Sequence, residues 1–346
     1  MSDKTNNAEQ VASPAEHLVE VHDLKTYFHT AAGTAKAVDG VSFTLDRGKT
    51  LAIVGESGSG KSVTASSLMR LLPKTGKIEG GTVEFDGHDI VHATDAELRE
   101  LRGKDISIIF QDPMTALDPV FKVGSQMIEN IRIHDGLDKA AARKRAIEML
   151  RLVSIPNPEK RMDSYPYELS GGMCQRVMIA MAMSCHPKFI IADEPTTALD
   201  VTVQAQVLSL LKGLQDEMDT GILLITHNLG IVWQMADDVM VMYAGRTCEY
   251  ASMEELYSNP MHPYTWGLLD SMPKLSDKAK TDLKTIPGVP PDLRLTGTCC
   301  NFYNRCPYAC EKCKSEVPPL VEVRPGHFVA CHRQNGEQTL VRGEAN

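Results

Sequence analysis

Gly55-Glu56-Ser57-Gly58-Ser59-Gly60-Lys61-Ser62 carries the first chemistry legible in this sequence. Its glycines let the backbone curl so that successive N–H groups point at one phosphate chain. Lys61 can reach the β- and γ-phosphate oxygens as a mobile charge, and the Ser62 hydroxyl can ligate Mg²⁺. Such a loop needs a strand before it and a helix after it. Leu51 to Val54 reads as the strand, and Lys61 to Leu72 has apolar residues at helical spacing. The helix adds its positive N-terminal end to the same site.

An acidic pair completes the constellation. Phe189-Ile190-Ile191-Ala192 is an apolar strand ending in Asp193 and Glu194. Asp193 suits Mg²⁺, directly or through water, and Glu194 suits the polarising of an attacking water as general base. As structure alone, two adjacent carboxylates would repel each other and face solvent for no gain.

The elements that must hold these residues follow from patterning. Val19 to Phe28, Ala37 to Gly48 and Lys49 to Gly55 read as short β-branched segments bounded by turn residues, as antiparallel strands would be. Val123 to Met183 is helical. The chain then alternates: the Phe189 strand, a helix over Val201 to Met218, and a strand over Gly221 to His227. That alternation predicts an α/β fold, a mainly parallel sheet covered by helices, with the helical block hung on it as a subdomain. Past Met253 the prolines at 260, 263, 273, 287, 290, 291, 307, 318, 319 and 325 exclude long helices. The expected organisation is a disordered tail over 1–17, an ATPase domain over 18–255 with its subdomain at 112–184, and a small Pro/Cys-rich extension over 256–346.

The 346 residues are 42% hydrophobic and 23% charged, as in ordinary globular proteins. A net charge of −9 argues against a nucleic-acid-coating surface. No apolar run approaches the roughly eighteen residues that a bilayer span needs. The expected location is the cytoplasmic face of the membrane, held peripherally through partners. Among nine cysteines, Cys174, Cys185 and Cys248 are scattered, and six lie between Cys299 and Cys331.

Leu169-Ser170-Gly171-Gly172-Met173-Cys174-Gln175-Arg176 resembles the LSGGQ signature of ABC ATPases, with Met173 in place of the usual glutamine. Gln111 resembles the Q-loop glutamine, Ala198-Leu199-Asp200 the D-loop, and His227 the switch histidine. Phe28 (or Tyr27) resembles the aromatic that stacks on adenine. The resemblance covers about residues 18–250. It implies an ABC nucleotide-binding domain, a P-loop fold with a mixed sheet core and helical subdomain. Catalysis would rest on Lys61, Glu194 and His227, and Mg²⁺ on Ser62, Gln111 and Asp193. ATP would be held by Phe28, Gly55, Glu56, Ser57, Gly58, Ser59, Gly60, Lys61, Ser62, Val63 and Gln111. Ser170, Gly171, Gly172, Gln175 and Asp200 would face the ATP of a second, homologous ATPase subunit in a head-to-tail dimer.

Asn259 to Thr265, Ile286 to Pro291 and the cysteine stretch closely resemble the C-terminal extension of oligopeptide and dipeptide importer ATPases. Such subunits work under two transmembrane permeases, with peptide delivered by an extracytoplasmic binding protein. Nickel importers share much of this wording, and some ABC ATPases act on nucleic acid or ribosomes without any membrane partner. Four thiols, Cys300, Cys306, Cys313 and Cys331, are what a tetrahedral zinc or a 4Fe–4S cluster wants, and the family implies the cluster. Separations of six and seven residues suit a large cluster better than zinc, although Cys310 and Cys313 form one C-x-x-C pair. Nothing in the sequence places these cysteines near the phosphates.

Overall fold

The computed structural model describes residues 17–196, 199–271, 285–334 and 340–342; the N-terminal tail and Ala198 lie outside them. Five strands stand side by side in parallel: Ile106–Ile109, Phe189–Asp193, Gly221–Ile225, Thr50–Val54 and Asp238–Tyr243. The middle three are buried at every position. Strands covered on both faces need apolar residues throughout, which is why the sequence shows runs here and not alternation. Alternate side chains still divide between two cores. Val54, Ile190 and Leu224 face one; Ile53, Ile191 and Leu223 face the other.

The first core is shared with helices Val123–Asp135, Lys139–Leu152 and Gly171–Met183 through Met127, Leu150 and Val177. Each buried side chain of this size contributes about 1.5–3 kcal/mol. The second core lies under a separate antiparallel sheet, ordered Gly33–Leu45, Val19–Thr30, Gly76–Phe85 and His88–Asp89. The segment Lys49 to Gly55 was expected in antiparallel company, and that expectation is corrected. Thr50–Val54 leaves its neighbours and pairs in parallel with Gly221–Ile225 and Asp238–Tyr243. Its run of consecutive buried residues fits only a sheet covered on both sides, whereas Val19–Thr30 and Gly33–Leu45 keep exposed positions.

The sheet is mixed. After Tyr243 the chain reverses through Ala244 and Gly245, both at positive φ (46° and 83°), the geometry of a tight hairpin turn. Arg246–Ser252 returns antiparallel, and His327–Val329 and Val321–Arg324 extend the same sheet. The proline-rich C-terminal segment is thereby stitched to the sheet by strand pairing.

Candidate functional site

Parallel strands deliver all their C-terminal ends to one edge, and residues placed there converge. Val54 leads into the glycine loop, Asp193 ends its strand, and Ile109 and Ile225 each stop two residues short of Gln111 and His227. The loop is shaped by contacts that only glycine permits. A Cβ on Gly55 would sit 2.2 Å from the Met242 carbonyl oxygen, and one on Gly60 2.3 Å from that of Ala37. Both residues have positive φ. The helix Lys61–Leu68 starts directly after Gly60.

Lys61 is buried, with Nζ donating to the carbonyls of Gly55 (2.8 Å) and Glu56 (2.9 Å). Burial lowers its pKa, against the pull of Glu194, Asp193 and Glu56. The Ser62 hydroxyl donates to Asp193 Oδ1 at 3.1 Å. Burial holds the Asp193 carboxyl above the usual carboxylate range; the Ser62 bond opposes this and the Glu194 charge adds to it. Such a carboxyl, buried beside a hydroxyl, fits Mg²⁺, which prefers hard oxygen donors and takes the rest of its shell from phosphate and water.

Glu194 adopts a left-handed backbone (φ 47°), fixed by its N–H donating to the Ile225 carbonyl at 2.8 Å. Non-glycine residues held there store strain and cluster at functional sites. Gln111 Nε2 donates to Glu194 Oε2 at 3.0 Å, and His227 Nδ1 lies 3.1 Å from Oε1. A cavity of about 290 Å³ lies between these groups, lined among others by Ser57, Gly58, Lys61, Ser62, Val63, Gln111, Glu194 and His227. It offers a phosphate cradle, a metal position and an oriented carboxylate in one place.

Other expected residues stand elsewhere. Phe28 is paired with Ala35 and Gly76, its ring against Gly76, and it does not line the cavity. Tyr27 donates its hydroxyl to Asp39 at 2.6 Å. Ser170 caps the helix Gly171–Met183, its hydroxyl accepting from the Met173 N–H at 3.3 Å, and Asp200 caps Val201–Met218 by accepting from the Val203 N–H at 3.0 Å. Ser170, Gly171, Gly172 and Asp200 stay at least partly exposed, and none of them lines the cavity. Gln175 departs from its expected role. It is fully buried, and its amide donates to the Pro195 carbonyl, so it faces inward and not toward a partner's phosphates.

Leu293 lines the cavity as well, and sequence reasoning missed it. Its segment carries no phosphate-binding pattern, so no signal pointed there. The sequence gives no link between the cysteine stretch and the phosphate loop, and the structure shows one. Arg305, next to Cys306, pairs with Glu56 of the glycine loop. Burial pushes the Cys300 and Cys306 thiols up to about 12 and Cys331 up to about 11, with neighbouring thiols adding to each rise. Cys310 and Cys313 bring their sulfurs to 3.5 Å. Among the described residues, no three His, Cys, Asp or Glu side chains form a group able to hold a metal ion, so the expected 4Fe–4S cluster gains no support from this geometry. Buried thiols favour the protonated form, which is not the ligand form.

A phosphate loop, an Asp–Glu strand end, a capped glycine signature and a strand-end histidine on one mixed sheet define an ABC-type ATPase. The profile of the ABC transporter family matches residues 38–197, and that of the oligopeptide/dipeptide transporter C-terminal region matches 248–313. The oligopeptide transport ATP-binding protein OppD of Salmonella typhimurium is 50% identical over 95% of this chain and 97% of its own. The dipeptide transport ATP-binding protein DppD of Bacillus subtilis is 47% identical over 95% and 99%. A solved ATP-binding cassette, dimeric and bound to ADP and Pi, matches 68% of this chain and 98% of its own at 26% identity and TM-score 0.63. The chain belongs to the ABC transporter family of ATP-hydrolysing subunits, in the branch that carries the oligopeptide/dipeptide C-terminal region.

Proposed function

We propose that this subunit drives import of oligopeptides or dipeptides through separate membrane subunits. The C-terminal match over 248–313, beside relatives named for peptide transport, carries the reading of the cargo. In the ATP reaction, Lys61 and the glycine loop would hold the phosphates. Mg²⁺ would be held by Ser62 and Asp193 and, when bound, would supply charge neutralisation there. Glu194 would take a proton from the attacking water as its oxygen bonds to the γ-phosphorus and the bond to the bridging oxygen breaks, releasing ADP. Gln111 and His227 would keep that carboxylate aimed.

The second half of a working site would come from a homologous ATPase subunit presenting the equivalents of Ser170, Gly171 and Gly172. The dimeric solved cassette supports such pairing. A permease would dock beside Gln111, where Phe110, Met114, Val120 and Phe121 expose large apolar surface and an adjoining groove of about 300 Å³ opens. No helix of the described residues is long and apolar enough to cross a membrane, which accords with peripheral attachment. The division at about 255 is proposed as functional, an engine followed by an extension.

The test is peptide uptake by cells lacking the gene, restored by the wild-type chain and not by Glu194→Gln. Restoration of nickel uptake instead would overturn the peptide reading. Cys300, Cys306, Cys313 and Cys331 are proposed as a metal-holding group on their residue type and spacing alone. Anaerobic purification with metal analysis decides: about four irons per chain, lost in Cys306→Ser, fits a 4Fe–4S cluster, and one zinc or no metal overturns it.

A further inference from the structure

One partly buried ion pair joins the cysteine-bearing segment to the glycine loop. Arg305 Nη1 and Nη2 donate to Oε2 and Oε1 of Glu56 at 2.6 and 3.0 Å. The remaining N–H groups go to the Tyr243 hydroxyl (3.2 Å) and the carbonyls of Ile286 (3.0 Å) and Pro287 (2.8 Å). Every donor of the guanidinium is thus used. The Arg305 side chain is only 5% exposed and that of Glu56 28%, so solvent reaches the pair only from the Glu56 side.

Glu56 is held from its backbone too. Its N–H donates to the Tyr264 hydroxyl at 2.8 Å, and its carbonyl accepts from Lys61 at 2.9 Å. The same C-terminal stretch supplies Leu293 as a wall of the cavity, with the Leu293 carbonyl accepting from the Lys36 N–H at 3.1 Å. Glu56 puts a carboxylate in an anion-binding loop. A free carboxylate there repels a triphosphate and competes for the Lys61 ammonium. Bidentate pairing with Arg305 cancels that charge and fixes the loop's outer end.

We infer that Arg305 is a positioning residue for the nucleotide, neutralising Glu56 and holding the glycine loop open to phosphate, so that the segment 285–306 is a working part of the ATP site. The inference rests on the reading of the cavity as an ATP site. It touches binding, because Arg305 meets the loop and not the carboxylate that activates water.

The experiment compares full-length wild type, Arg305→Ala, Arg305→Lys, Glu56→Gln and the Arg305→Ala/Glu56→Gln double variant. Each is measured for affinity toward a fluorescent ATP analogue and for KM and kcat. Arg305→Ala is expected to weaken binding and raise KM about tenfold, within the usual range of site-to-site coupling, with little change in kcat. Arg305→Lys should fall between, since an ammonium cannot pair in the forked geometry. The double variant should recover most of the affinity, a rescue that a purely structural role would not give. Wild-type affinity in Arg305→Ala, or a double variant as weak as Arg305→Ala, overturns the inference. If Arg305→Ala fails to fold, Arg305→Lys with and without Glu56→Gln makes the same comparison. Lys61→Ala serves as the separate control: if it too binds normally, the ATP reading of the cavity is what fails.

Discussion

His227 Nδ1 stands 3.1 Å from one oxygen of Glu194 while the amide of Gln111 holds the other at 3.0 Å. The carboxylate is therefore gripped from two different strand ends, and its backbone is locked at φ 47°. A general base gripped this way can accept a proton from only a narrow range of water positions, which is the use of such a grip.

Glu194→Gln keeps the shape and removes the base. Phosphate release should drop by about 10²–10⁴-fold while ATP binding persists. Phosphate-release rates beside equilibrium nucleotide binding check this, and normal hydrolysis in the variant would remove Glu194 from its role. His227→Ala should also cripple turnover without abolishing binding; a fully active variant would end its part in the account.

The glycine loop makes a steric prediction with an internal control. Gly60→Ala puts a Cβ 2.3 Å from the Ala37 carbonyl oxygen at φ 107°, whereas Gly58→Ala, at φ 77°, meets nothing within 4 Å. Gly58→Ala should cost about 1–2 kcal/mol, the left-handed penalty alone. Gly60→Ala must move backbone, so it should lose ATP binding and melt lower than Gly58→Ala. Thermal melts and nucleotide titrations of the two, side by side, make the comparison.

The catalytic edge was legible because its chemistry is written in consecutive residues. Gly55 to Ser62 and Asp193-Glu194 need particular residue types at fixed spacing, and the buried strands that carry them are unbroken apolar runs. Contacts between distant segments were not. Leu293 reaches the cavity and Arg305 reaches Glu56 across 249 residues of chain, and nothing local to either points to the phosphate loop. Thr50–Val54 was misassigned to an antiparallel set because its short run does not state which sheet will bury it. The place of Gln175 beside the signature suggests an outward group, but helical periodicity turns it into the core.

That inward turn predicts a phenotype. Gln175 bonds the carbonyl of Pro195, the residue after Glu194, and its own Oε1 is buried without a hydrogen-bond partner. Gln175→Leu removes the tether and the unpaired oxygen together, so stability should change by no more than about 1 kcal/mol. The strained Glu194 turn loses a support, and kcat should fall about tenfold, equivalent to about 1.4 kcal/mol, with KM for ATP unchanged. A wild-type kcat would show that the tether does not position Glu194.

The C-terminal layer should be acid-labile through His262. The ring is buried, and Nδ1 accepts from the Tyr264 N–H at 3.0 Å, a bond that needs an unprotonated nitrogen. Burial lowers its pKa to about 4, against the nearby Glu249 charge and a bond to the Ala330 backbone. The unfolded chain takes up the proton near 6.5 and the folded one only near 4. The stabilisation is therefore complete above the unfolded value and is lost as pH falls through this window, about 3 kcal/mol in all. His327 works with opposite sign. Burial opposes its charge, but Glu249 and then Glu255 raise its pKa, so its contribution is present below the ordinary histidine value and is lost as pH rises through the raised one. Melting temperatures from pH 7.5 to 4.5 should fall less steeply in His262→Asn, which keeps a side-chain acceptor and cannot titrate, than in wild type. His327→Gln should cost most at the acid end and least at alkaline pH. Parallel melting curves for wild type and His262→Asn would show instead that the ring is protonated, or free, in the folded chain.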